Sequence, residues 1–294
     1  MNREAFFQNG VKCNPAYVNI RDCGHLSEAK EFIEQLWKEY RNYADPHFRD
    51  DAKAHFQERF WEMYLGVTLI SHGFTLDAGS TTGPEFYIMN AGKKIWWEAI
   101  APGRGEGRDA VPELEYLEYN APPNLTRVPV EETILRLRSA IEDKYKKYRR
   151  YLEQDVLNGD DAFVIAINSK RIQLIVSETD VPLIVKAVLP FGNLVVVWDR
   201  NKNRLSETRY EYRDAIRKKS GSDVPTDIFL NPQYSGISAV LYSSVYAVNR
   251  PATFGADFVL VHNPCAKNPI KLGVFRFGAE YWVEGDELKR KSSK

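Results

Sequence analysis

Apolar residues recur every three or four positions over 27–43, at Ala29, Phe32, Ile33, Leu36, Trp37 and Tyr40, the period of an amphipathic helix with Ser27 placed to cap it. A second helix is predicted over 50–71, with Phe56, Phe60, Met63, Val67 and Ile70 on one face and Gly73 as its stop. A third is predicted over 131–152, where Ile134, Leu137, Ile141, Tyr145, Tyr148 and Leu152 form the stripe and Glu131 and Glu132 favour the positive end of the helix dipole. Between the second and third helices the pattern shortens. A Gly83-Pro84-Glu85 turn opens the run Phe86-Tyr87-Ile88-Met89, and a Gly92 turn leads to Ile95-Trp96-Trp97-Glu98, which predicts a hairpin.

Residues 103–129 are rich in Gly, Pro and acids and lack periodicity, so a long functional loop is expected there. Beyond Asn158-Gly159-Asp160, short apolar runs predict strands over 162–167, 183–189, 194–198, 237–243 and 258–261. Several are continuous, as in strands covered on both faces. The intervening polar stretch 200–220 is expected to be helical from Glu207. This order of elements defines an α/β chain with a central mixed sheet. It divides into an N-terminal helical extension (1–49), a core (50–200) and a strand-rich C-terminal extension (201–294) that completes or flanks the sheet.

Composition narrows the partners. Lys and Arg number 40 against 40 Asp and Glu, so no global field favours nucleic acid, membrane or acidic ligands, and any such preference must be local. Two stretches supply one. Residues 134–152 carry seven Lys/Arg against two acids, and 200–219 carry eight against three, each with tyrosines interleaved, which suits a phosphate backbone as well as it suits solvated helix faces. Cys13, Cys23 and Cys265 form no CxxC pair or zinc spacing, which fits free thiols in a reducing compartment. No apolar run is long enough to cross a bilayer, and a cytoplasmic location is expected.

The candidate chemistry lies in the acids. A hairpin brings the head of its first strand beside the end of its second, so Glu85 and Glu98 should meet. Glu98 closes an otherwise apolar strand, where an uncompensated charge costs several kcal/mol, on the order given by burial of charged groups. A divalent cation shared with Glu85 would compensate it. Glu58 and Glu62 share one side of the second helix, away from its main apolar face, from which one could reach the hairpin. Lys144 falls on or beside the apolar stripe of the third helix, so it must snorkel or find an anion. The His262-Asn263-Pro264-Cys265 segment lacks the geometry of a thiol with its base, and Gly103-Arg104-Gly105-Glu106-Gly107 lacks the rest of a phosphate loop.

A helix Glu, then Pro84-Glu85 at a strand start, then a strand ending Trp96-Trp97-Glu98-Ala99, then a helix: over about 50–168 this order resembles the PD-(D/E)XK, or restriction-endonuclease-like, nuclease superfamily. The resemblance implies a restriction-endonuclease-like mixed sheet and a metal-dependent endonuclease that hydrolyses DNA, in a restriction or defence setting. By the same resemblance Glu85, Glu98 and Glu62 (or Glu58) would hold Mg²⁺ or Mn²⁺. The position two after Glu98, where the family lysine stands, is Ile100. Lys144 on the following helix is the expected replacement, ahead of Lys146 and Lys147. Expected DNA contacts are Arg104, Arg108, Arg136, Lys147, Arg213 and Lys218, and a homodimer is compatible with this reading. The alternatives are an inactive module of the same fold that binds nucleic acid or a protein, and a hydrolase of a small phosphate ester.

Overall fold

A computed structural model describes residues 5–10, 13–79, 82–113, 128–172 and 181–293. Four helices open the chain: α1 (Pro15–Asp22), α2 (Ser27–Tyr40), α3 (Phe48–Ala54) and α4 (Phe56–Ser71). The hairpin region follows as β1 (Leu76–Ala78), β2 (Phe86–Asn90) and β3 (Lys93–Ile100), then the long helix α5 (Val130–Glu153), β4 (Ala162–Asn168) and α6 (Leu183–Val188). Strands β5 (Phe191–Asp199) and β6 (Arg204–Tyr212) form one separate ribbon, and β7 (Ala215–Arg217) and β8 (Asp223–Pro225) a second, smaller one. Strands β9 (Ala239–Ser243), β10 (Val259–His262), β11 (Ala279–Glu284) and β12 (Glu287–Ser292) complete the chain.

The main sheet has eight strands in the order β1-β2-β3-β4-β9-β10-β11-β12. Strands β3, β4 and β9 run parallel at its centre, β10 and β11 are also parallel to each other, and the remaining pairs are antiparallel. Helix α5 occupies the connection from β3 to β4, the long crossover that parallel neighbours require. The protein is therefore a mixed α/β fold in three layers. Ile95, Trp97 and Ala99 of β3 face the core made with α1–α4, while Trp96 and Ile100 face the core made with α5 and α6. Alternation along the strand puts Glu98 on the α5 side.

Helix α4 ties the first layer to the sheet, for the Trp61 indole N–H donates to the Ala166 carbonyl of β4 at 3.0 Å. Gly66 lets α2 lie close against α4, since a Cβ there would sit 2.5 Å from the Tyr40 ring. That contact seats Tyr40 over Glu62. Strands β9–β12 complete the sheet, and residue 200 falls in the turn of the β5–β6 ribbon.

Several elements differ from the sequence expectation. The helix foreseen over 50–71 breaks at His55, whose φ of −115° and ψ of 49° are not helical, so α3 and α4 are separate. Ser27 begins α2, but no side chain caps it. Residues 183–188 are a helix rather than a strand. All six are buried, so the continuous apolar run that suggested a covered strand is a helix covered on all sides, begun after Pro182. The helix expected from Glu207 is strand β6, in which Thr208, Tyr210 and Tyr212 alternate with Glu207, Arg209 and Glu211. Of the loop expected over 103–129, residues 103–113 form no helix or strand and 114–127 lie outside the described residues.

Candidate active site

Two consecutive residues of the hairpin address one partner. Phe86 is opposite Trp97, and the Glu85 N–H also donates to the Trp97 carbonyl at 3.1 Å, the two-against-one pattern of a β-bulge. Bulges re-aim side chains, and here the break frees Glu85 from strict alternation at the end of the sheet. Glu85 consequently lines several clefts, two of them beside β3. One, of about 330 Å³, is formed with His55, Glu58, Arg59, Glu62, Ala99, Ile100 and Lys144. The other, of about 390 Å³, is formed with Thr82, Gly83, Glu98, Lys147, Arg150, Tyr151 and Gln154. Both open by the carboxyl end of β3, the end where open α/β sheets hold ligands.

Glu98 is 1% exposed and fully partnered. Its Oε1 accepts from Lys144 Nζ at 2.5 Å and from Lys147 Nζ at 3.3 Å, and its Oε2 accepts from the Tyr151 hydroxyl at 3.1 Å. The donors stand at i, i+3 and i+7 on α5, one face of the helix. Lys144 is itself buried, whereas Lys147 is half exposed. Burial works against the Lys147 charge, but the Glu98 carboxylate outweighs it and the ammonium is held above the ordinary lysine range.

Glu62 was expected on the outer side of its helix. It is instead 7% exposed, because α4 is buried all round over 60–69. Its Oε1 accepts from the Tyr40 hydroxyl at 2.7 Å and its Oε2 from Arg59 Nη1 at 2.8 Å. Arg59 also reaches Asp51 at 2.8 Å and Asp45 at 3.4 Å. Desolvation dominates over the guanidinium, and the Glu62 carboxyl is raised above the ordinary glutamate range. Glu58 is turned away to Arg171.

Glu85 stands between these two groups. Among the described residues its carboxylate makes no hydrogen bond or ion pair. Burial first, then the charges of Glu62 and Glu98, push its carboxyl well above the ordinary range, and Lys144 and Arg59 offset this only in part. The structure thus joins Lys144 to Glu98 and sets Glu85 in one cleft with Glu62 and Lys144 and in another with Glu98. Tyr151, Arg59 and Tyr40 escaped the sequence reading; the i, i+3, i+7 spacing from Lys144 was the one signal that pointed to Tyr151.

The expected DNA contacts are dispersed. Arg104 donates to the Val111 carbonyl and pairs with Glu113, while Arg136 donates to the Gly103 carbonyl and is partly desolvated. Arg213 is half buried, with its Nε enclosed and unpartnered. Arg108 and Lys218 are exposed. His262 pairs with Glu280 at 3.1 Å rather than with Cys265.

Among the described residues, no three His, Cys, Asp or Glu side chains form a ready metal-binding group, and no helix is long and apolar enough to cross a membrane. The donor chemistry nevertheless suits Mg²⁺, which keeps several of its waters and takes one or two carboxylates, and the unpartnered Glu85 is a hard oxygen ligand in need of positive charge. The chain matches no family model, no curated protein and no solved structure.

Proposed function

We propose that this chain is a metal-dependent endonuclease acting on DNA, with a restriction-endonuclease-like core. The observation that carries the reading is Glu85: a carboxylate without a partner among the described residues, raised by burial and by two further glutamates, beside a lysine at the mouth of a cleft. Such a deficit of positive charge is relieved by a divalent cation. Glu85 and Glu98 would hold Mg²⁺ or Mn²⁺, with Glu62 as the third acid. Bound there, the ion would polarise a phosphate oxygen and acidify a water. Lys144 takes the part of the lysine that Ile100 does not supply: its ammonium orients Glu98 and offers positive charge toward the reacting phosphate. Lys147 and Arg150, on the same side of the second cleft, can neutralise a neighbouring phosphate.

The test is cleavage of plasmid DNA with and without Mg²⁺. Wild type should nick or cut it only with the metal, and Glu98→Ala and Glu85→Ala should each lose at least about 100-fold in rate, the scale of losing one electrostatic group. Thermal melting checks that the variants remain folded. Undiminished cleavage by folded Glu85→Ala removes the site assignment.

A second reading rests on Glu98 already being neutralised by Lys144, Lys147 and Tyr151, which would suit an inactive module that binds nucleic acid. Salt-dependent DNA binding with no uptake of Mn²⁺ in calorimetry favours that reading.

A further inference from the structure

The β5–β6 ribbon stands apart from the main sheet, anchored at its base where β5 leaves α6. Its register pairs Leu194 with Tyr210, Val196 with Thr208 and Trp198 with Leu205, with a shift between Val197 and Trp198 that keeps the last pair on the same face. Alternation then gathers these six on one side. On the other side Val195 and Val197 of β5 stand opposite Arg209 and Glu207 of β6, which pair with each other, and Glu211 lies beyond them. One side is therefore apolar on both strands and the other on β5 alone, and toward the turn the apolar side is bare among the described residues: Val196 is 57%, Trp198 54% and Leu205 52% exposed.

With Tyr212, which is 71% exposed and follows Tyr210 in the same alternation, this face offers on the order of 600–700 Å² of accessible side-chain surface, more than a monomer ordinarily leaves bare. A two-stranded ribbon of this kind is also marginal on its own. We propose that the face is a self-association surface, covered by the same face of a second copy of this chain. The area decides between occupants. It approaches the roughly 800 Å² per partner of a standard interface, and a two-fold pairing asks only that the patch complement itself. The patch contains no charged side chain, so it offers nothing to a phosphate backbone or a charged peptide, whereas an identical apolar face meets it without burying a charge. Charges lie at the rim, where Arg200, Lys202 and Arg204 crown the turn in solvent.

Sedimentation equilibrium of the full chain tests the assignment. Wild type should sediment with twice the mass of one chain, and Val196→Glu/Trp198→Glu should weaken self-association by at least about 100-fold, as loss of two central anchors implies. These side chains touch no core, so far-UV circular dichroism and the melting transition should be retained. Glu207→Ala, on the opposite face, should leave the dimer intact. A monomeric wild type at all concentrations overturns the proposal, as does a dimer that survives the double substitution. A monomer that instead floats with neutral phosphatidylcholine vesicles through Trp198 would reassign the face to a lipid surface. The outcome does not depend on nuclease activity.

Discussion

On the α4 side of the sheet, Glu62 is buried between Tyr40 and Arg59, and that one guanidinium also serves Asp45 and Asp51. On the α5 side, Glu98 is buried beneath Lys144, Lys147 and Tyr151, with Arg150 in the same cleft. Two carboxylates of similar burial thus sit in opposite fields. Three acids share one cation on the first side, and three cations surround one acid on the second. Glu85, at the seam, faces both. Burial raises the Glu62 and Glu85 carboxyls, and at Glu85 the charges of Glu62 and Glu98 add to it; in the function proposed above, the acid-rich side would take the cation and the basic side the phosphate.

Removing a partner from each side breaks the comparison most sharply. Lys144→Met should cost about 3 kcal/mol in urea unfolding, the scale of breaking a buried ion pair, reduced by the two donors that remain on Glu98. Arg59→Met should cost less, about 2 kcal/mol, because Glu62 already lies above its usual range and can take up a proton instead. Equal losses would show that the two acids are compensated alike. Tyr151→Phe removes one neutral donor from Glu98 and should cost about 1 kcal/mol by the same measurement.

The smallest change in stability should come from Glu85→Gln, which deletes a charge with no partner among the described residues: near zero at acid pH and a small gain at neutral pH. Because the folded carboxyl is raised, the folded state holds a proton that the unfolded state releases above about 4.5. Wild-type stability in metal-free buffer should therefore fall as pH rises from there through the folded value, and the glutamine variant should show a shallower fall, the remainder belonging to Glu62 and Asp257, whose carboxyls burial also raises. Proton and metal compete, so thermal stabilisation by Mn²⁺ should grow with pH in wild type and vanish in the variant. A pH profile unchanged by the substitution would move the deficit elsewhere.

The hairpin and its two acids were legible because a Gly-containing turn between apolar runs fixes a local register, and Lys144 was legible because a lysine on an apolar stripe needs an anion. Burial of Glu62 was not, since a helix that is covered all round shows a period dominated by its strongest face, with the acid hidden among Phe60, Trp61, Met63 and Tyr64. Helix α6 and strand β6 were misread for complementary reasons. A short run of only apolar residues has no period to read, and a strand exposed on both faces carries charges that look like a helix surface. Arg59 and Tyr40 depend on how α2 crosses α4 at Gly66, which is tertiary information.

The bulge at Glu85 also bears on how the chain reaches its native state. A local hairpin closes early, and this one brings two like charges together before the ammonium that neutralises Glu98 can arrive from a helix distant in sequence. Docking of the long crossover therefore stabilises the closed turn, and the two events favour each other.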